Sequence, residues 1–249
     1  MLSRLRRHPF AVEAFFRWSL VLTYALPESV LQPLLPAGLA LDVYDGWGFL
    51  AIALVQTEKL RPKGFPRLFG RDFFLSGYRV FTRFARPGQQ SLRGLRILRS
   101  DTDRRAMVTF GNLFTHYGYR LAQVKAVRDG SRLAVDVQTP EREADLHVVA
   151  DVAGTSALPE GSPFRSLDDA RSFAGPLPYT FDADDASKKM LVVRGLRTAW
   201  NPRPVRILSQ QSSFLSRPEL ATDEARLANA FFVEEVPYAW KPGVLEELA

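Results

Sequence analysis

The 249-residue chain is 46% hydrophobic and 24% charged, a balance that supports a sizeable globular core, and a single domain over 1–249 is the expected organisation. It has no cysteine, which excludes disulfides, thiolate catalysis and Cys-ligated metals. Its formal charge of +6 comes with a large excess of Arg over Lys, yet no basic cluster matches a nucleic-acid motif, so the surplus reads as solvated surface and no nucleic-acid partner is expected.

The N-terminal MLSRLRRH is basic, but Glu13 and Arg17 interrupt the apolar stretch behind it. A signal peptide is thus not expected, no membrane span is expected, and the cytoplasm is the expected location. Phe16–Tyr24, rich in aromatic and β-branched residues, reads as a strand. LPESVLQPLLP reads as a short helix between prolines. Leu35–Gln56 reads as a hairpin turning at Asp45-Gly46, because Gly tolerates the positive φ that tight hairpin turns need. After a Pro- and Gly-marked loop over 61–70, Phe73–Phe84 and Leu92–Leu98 read as strands. Ser100-Asp101-Thr102-Asp103 reads as a helix N-terminus, its oxygens available to orphan amides. A second hairpin is expected over Tyr119–Arg128 and Arg132–Gln138, turning at Asp129-Gly130, and then a strand over Leu146–Val152. Ser166-Leu167-Asp168-Asp169 opens a short helix, and strands follow near Tyr179, Met190–Val193, Val205–Phe214 and Ala230–Val236. Hairpins rather than βαβ units recur, so the expected fold is mainly β (α+β), an antiparallel barrel or sandwich with short peripheral helices.

Candidate chemistry is sparse. His8, His116 and His147 are far apart in sequence and none sits in a ligand-spaced pair, so no metal is expected. The densest polar and aromatic stretch is NLFTHYGYR, where His116, Tyr117, Tyr119 and Arg120 surround Gly118. It reads either as a pocket rim, with His as acid or base and Arg holding a carboxylate, or as a helix terminus beside a sheet surface. Arg79 lies among apolar strand residues and reads either as an inward anion ligand or as an outward strand residue. Glu234 and Glu235 are adjacent in a strand and face opposite ways. Of six lysines, Lys125 is the one whose strand position allows it to face inward, and a desolvated lysine can form a Schiff base.

LPAGLALDVYDGWGFLAIAL, SGYRVFTRF, LRGLRILRSDTDRRAMVTFGNLFTHYGYRLAQV and AFFVEEVPYAW together resemble the YqjF-like uncharacterised bacterial family of the acetoacetate decarboxylase-like superfamily. The resemblance implies a closed, mainly antiparallel acetoacetate decarboxylase-like β-barrel with a central cavity. It does not carry the decarboxylase's Glu-x-x-x-Pro-Lys-Lys stretch: the matching region holds FTHYGYR, and Lys188-Lys189 lacks the Glu and Pro. The leading expectation is a protein that binds a small carboxylate- or carbonyl-bearing ligand through Arg79, Tyr117, Tyr119 and Arg120, without a cofactor; a homo-oligomer is compatible with it. The alternatives are a lyase acting beside a carbonyl through Lys125 or His116, and an interaction module using the Arg-rich loops over 59–71.

Overall fold

A computed structural model describes residues 5–175 and 177–248. The long strands β1 (Val12–Pro27), β3 (Trp47–Pro62) and β4 (Arg71–Phe84) are antiparallel neighbours; the short β2 (Leu39–Leu41) lies between the first two in sequence. They are joined by β5 (Leu92–Thr102), β6 (Tyr119–Leu121), β10 (Tyr179–Asp184), β11 (Lys189–Arg197), β12 (Arg203–Pro204), β14 (Arg226–Trp240) and β15 (Val244–Glu246) in one eleven-stranded sheet. Antiparallel β7 (Gln123–Asp129), β8 (Arg132–Gln138), β9 (Leu146–Asp151) and β13 (Arg206–Ser212) make a second sheet. Three short helices are peripheral: α1 (Glu28–Leu31), α2 (Arg105–Phe114) and α3 (Leu167–Ala174).

The large sheet is mixed, which corrects the expectation of an antiparallel barrel. β5 pairs in parallel with both β10 and β6. Gly94 makes the first junction possible, since a Cβ there would come within 2.6 Å of the Tyr179 carbonyl oxygen and within 2.5 Å of the Phe181 ring. β14 pairs with β11 as well as β1, so the hydrogen-bonded path β14-β1-β3-β4-β5-β10-β11 returns to its start.

This circuit gives the sheet an outer and an inner face. On the outer side, Leu20, Leu22, Leu50, Ile52, Leu54, Tyr78 and Val80 pack against Leu133, Val135, Leu146 and Val148 of the second sheet. Each such buried aliphatic side chain contributes roughly 1.5–3 kcal/mol. The Tyr78 hydroxyl completes this layer by donating to the Ala144 carbonyl at 3.1 Å. Period-2 alternation sends Val21, Ala51, Ala53, Val55, Arg79 and Phe81 to the other, inner face.

Three local expectations change. The turn at Asp45-Gly46 forms, with positive φ at both residues and reciprocal backbone hydrogen bonds between Tyr44 and Trp47 at 3.0 Å, but β2 pairs with β4, not β3. Ser100 to Thr102 stay in β5 rather than capping α2, because buried Asp101 accepts two bonds from the Arg99 Nε, at 3.0 and 2.9 Å. The strand expected over Tyr119–Arg128 breaks at Ala122, whose N–H donates to the Thr102 carbonyl at 2.8 Å; β6 thereby joins the large sheet and β7 the small one. At α3 the expectation holds, since the Ser166 hydroxyl accepts from the Asp169 N–H at 3.0 Å.

Candidate functional site: two interior arginines among tyrosines

Arg79 projects from β4 onto the inner face, in register with Ala51 of β3. Small neighbours give it room. A Cβ on Gly77 would lie 3.1–3.2 Å from the Arg79 Nε and Nη2, so the guanidinium folds back over that glycine. Around it stand Tyr117 and Tyr119, which follow α2, and Tyr238 of β14; these three hydroxyls are the nearby groups that favour its charge. Burial acts against them and more strongly, lowering the Arg79 pKa from its ordinary value. A guanidinium starts so high that it stays charged even so. Tyr117 and Tyr119 have pKa values pushed up, chiefly by burial, so they are neutral donors at physiological pH.

A second arginine shares this interior. Arg197 of β11 is the register partner of Tyr238; its guanidinium lies 5.4 Å from that ring and 5.0 Å from the Trp200 ring, and it donates to the Leu177 carbonyl at 3.1 Å. Its pKa is lowered by burial and by the like charge of Arg79. Gly195, one turn of the pleat away, leaves the space into which the Tyr238 hydroxyl fits. Among the described residues neither Arg79 nor Arg197 has a carboxylate partner, and the Arg79 Nε and Trp200 Nε1 are buried with no hydrogen-bond acceptor.

Local structure fixes the tyrosines. The Asn112 side chain bonds the Tyr119 backbone twice, accepting from its N–H at 2.7 Å and donating to its carbonyl at 2.8 Å, so the end of α2 is tied to the start of β6. Gly118 between the two tyrosines takes a φ of +61°, the turn that brings Tyr117 and Tyr119 to one place. The Tyr117 hydroxyl lies 3.0 Å from the Thr180 hydroxyl. His8 packs on the Tyr117 ring, centroids 4.9 Å apart, with its backbone held by Phe114 and Gly243. Burial, then nearby His116, lower the His8 pKa to about 4, so it is a neutral imidazole. The His116 Nδ1 is 3.5 Å from the Asp182 carboxylate, but burial outweighs that attraction and lowers its pKa.

The structure thus brings Arg79, Tyr117 and Tyr119 together and places other candidates elsewhere. Arg120 is exposed, 3.6 Å from Glu143. Lys125 is exposed on β7 of the second sheet, in register with Asp136, because β7 leaves the large sheet at Ala122. Glu234 pairs with Arg128 and Arg203, and Glu235 with Arg17. None of the six lysines is buried. The loop between β3 and β4 exposes Phe65, Leu68 and Phe69 among its basic residues. Among the described residues no three His, Cys, Asp or Glu side chains are grouped to hold a metal, and no helix is long and apolar enough to cross a membrane. Arg197, Tyr238 and Trp200 were not singled out by sequence; the signals available were the recurrence of Arg-Gly-Leu-Arg at 194–197 and the aromatic pair in Pro-Tyr-Ala-Trp.

An open cleft of about 880 Å³ between α2 and the second sheet is lined by Asp103, Arg105, Arg142 and Asp145 and so favours neither charge. The interior group differs in kind. The guanidinium and indole groups there only donate and the phenols can donate, so such an array can hold a small anion.

A sequence search among curated proteins finds no match. Among solved structures, acetoacetate decarboxylase from Legionella pneumophila superposes with a TM-score of 0.65 at 13% identity, covering 97% of this chain and 90% of that one. The enduracididine biosynthesis enzyme MppR complexed with pyruvate gives 0.60 at 11% identity, covering 95% and 90%. An acetoacetate decarboxylase-like enzyme from Sphingomonas wittichii gives 0.58 at 13% identity, covering 97% and 93%. The fold is therefore that of the acetoacetate decarboxylase-like superfamily, as the sequence resemblance implied. The family model DUF2071, described as an uncharacterized conserved protein, matches residues 15–237, and the chain belongs to that family.

Proposed function

We propose that this protein binds a small carboxylate, with or without an adjacent carbonyl, inside the circuit of strands, with Arg79 pairing the anion and Arg197, Tyr119 and Tyr238 completing its surroundings. One observation supports the reading: two partly buried guanidinium groups have no carboxylate partner among the described residues. Burying a charge without a counterion is expensive, and an anionic ligand offsets that cost. The superposition with a relative whose structure contains pyruvate supports the choice of a carboxylate. The six lysines, none of them buried, argue against an imine mechanism, so any chemistry beside a carbonyl would use other groups.

Calorimetric titration with pyruvate, acetoacetate and butyrate tests this reading. Binding by at least one of these and its loss in Arg79→Met is the expected result. Failure of all three to bind the wild-type chain, or equal affinity in the variant, would overturn it.

A further inference from the structure

A second arginine cluster lies outside this interior. Arg83 of β4 and Arg93 of β5 are directly opposed in the antiparallel register, an arrangement that like charges normally disfavour. Both are held by one carboxylate: fully buried Asp42 accepts from the Arg83 Nε and the Arg93 Nε, each at 2.6 Å. One acid shared by two guanidinium groups leaves a net positive charge. Arg171, in the last turn of α3, adds another and has no ion-pair partner among the described residues. The three arginines line an open pocket of about 400 Å³ whose other walls include Ser91, Phe173 and Tyr179, and among the described residues no acidic side chain lines it.

The cluster is rigid where rigidity matters. Arg93 also donates to the Phe173 carbonyl at 3.0 Å and lies 4.7 Å from the Phe173 ring, so α3 is fastened over β5. Arg83 and Arg93 spend their Nε groups on Asp42, and their side chains remain partly exposed, at 45% and 31%. The pocket offers a preset pair of guanidinium groups, a third on a neighbouring element, the hydroxyl-bearing side chains of Ser91, Ser172 and Tyr179, and two aromatic walls. Its charge matches a dianion better than a monoanion, and a phosphate monoester carries a charge of about −1.5 to −2 at pH 7. The size suits a ligand of a few carbons, since small-molecule pockets start near roughly 300 Å³.

The geometry points to a second, outer anion site on this chain, formed by Arg83, Arg93 and Arg171, that takes the phosphate group of a small phosphorylated metabolite. It is independent of the interior carboxylate reading, because the two clusters share no arginine.

Glycerol 3-phosphate is the probe, with glycerol and inorganic phosphate beside it, titrated by calorimetry at low salt into the wild-type chain, Arg171→Glu, Arg171→Gln and Arg79→Met. The expected result is binding of glycerol 3-phosphate and phosphate but not glycerol. Arg171→Gln should weaken it about fivefold, the scale of one exposed charge, and Arg171→Glu should abolish it. Arg79→Met should leave it unchanged. Arg171 is exposed and has no ion-pair partner among the described residues, so its variants are expected to fold, and thermal melts check this. The site is refuted if the wild type binds neither anion, if both Arg171 variants bind like wild type, or if Arg79→Met alone removes binding.

Discussion

Under the proposed carboxylate reading, Arg79 serves binding at the expense of stability. Its guanidinium sits over Gly77 with no carboxylate partner among the described residues and with its Nε unsatisfied. Replacing an uncompensated buried charge by an apolar side chain of similar length is often neutral or favourable. Arg79→Met, unfolded in urea without added anion, is expected to be as stable as wild type or more so by about 1 kcal/mol. A loss of that size would mean that an unrecognised partner already stabilises the charge. His8 gives a pH prediction. Its ordinary pKa of 6.5 falls to about 4 in the folded chain. Between those values the unfolded state holds the proton and the folded state does not, so stability rises with pH. The contribution is complete above about pH 6.5 and lost as pH falls toward 4, on the order of 3 kcal/mol in all. His8 has a φ of +51°, a conformation asparagine tolerates. Thermal melts from pH 7 to 4 should therefore show His8→Asn losing less stability on acidification than wild type. Parallel curves would exclude His8 as the titrating group.

Among the elements, α2 shows how packing reverses an intrinsic preference. Gly111 lies within this helix, where replacing Gly by Ala ordinarily gains about 1 kcal/mol. Here a Cβ would overlap the Tyr119 ring and reach within 3.0 Å of the Met107 Cε. Overpacking costs about 1–3 kcal/mol, enough to cancel the gain. Gly111→Ala is thus expected to lower stability by about 1 kcal/mol in urea, and to weaken carboxylate binding because Tyr119 must move. A stabilised variant with unchanged binding would show that Tyr119 is free to shift. The same helix explains one misplaced boundary. Ser100-Asp101-Thr102 has the side-chain oxygens of a cap, but Asp101 is committed to buried Arg99, a long-range packing demand with no local signature, and α2 starts three residues later without a side-chain cap.

Across the whole molecule, period-2 alternation made the long strands legible, and the Asp45-Gly46 turn announced itself through φ. Arg79 could be named as a candidate because it interrupts an apolar strand, and Tyr117 and Tyr119 because Gly118 bends the chain between them. Which face each side chain takes was not legible, because it depends on register shifts such as the one between Tyr78 and Arg79 and on closure of the circuit by β11 with β14. Arg197 and Tyr238 enter the interior only through that closure, so no local pattern could pair them with Arg79. The break at Ala122 has the opposite effect, since it carries Lys125 into the second sheet and onto the surface. A catalytic lysine needs an apolar or cationic enclosure that favours the neutral amine, and the fold gives this chain none of its six lysines in such a place. Incubation with acetoacetate or pyruvate followed by borohydride should accordingly leave the intact mass unchanged, while the same carboxylates still titrate in the calorimeter. A stoichiometric adduct mapped to one lysine would overturn that division and would return the chain to imine chemistry; an unchanged mass with measurable binding would assign the interior to anion recognition by arginine.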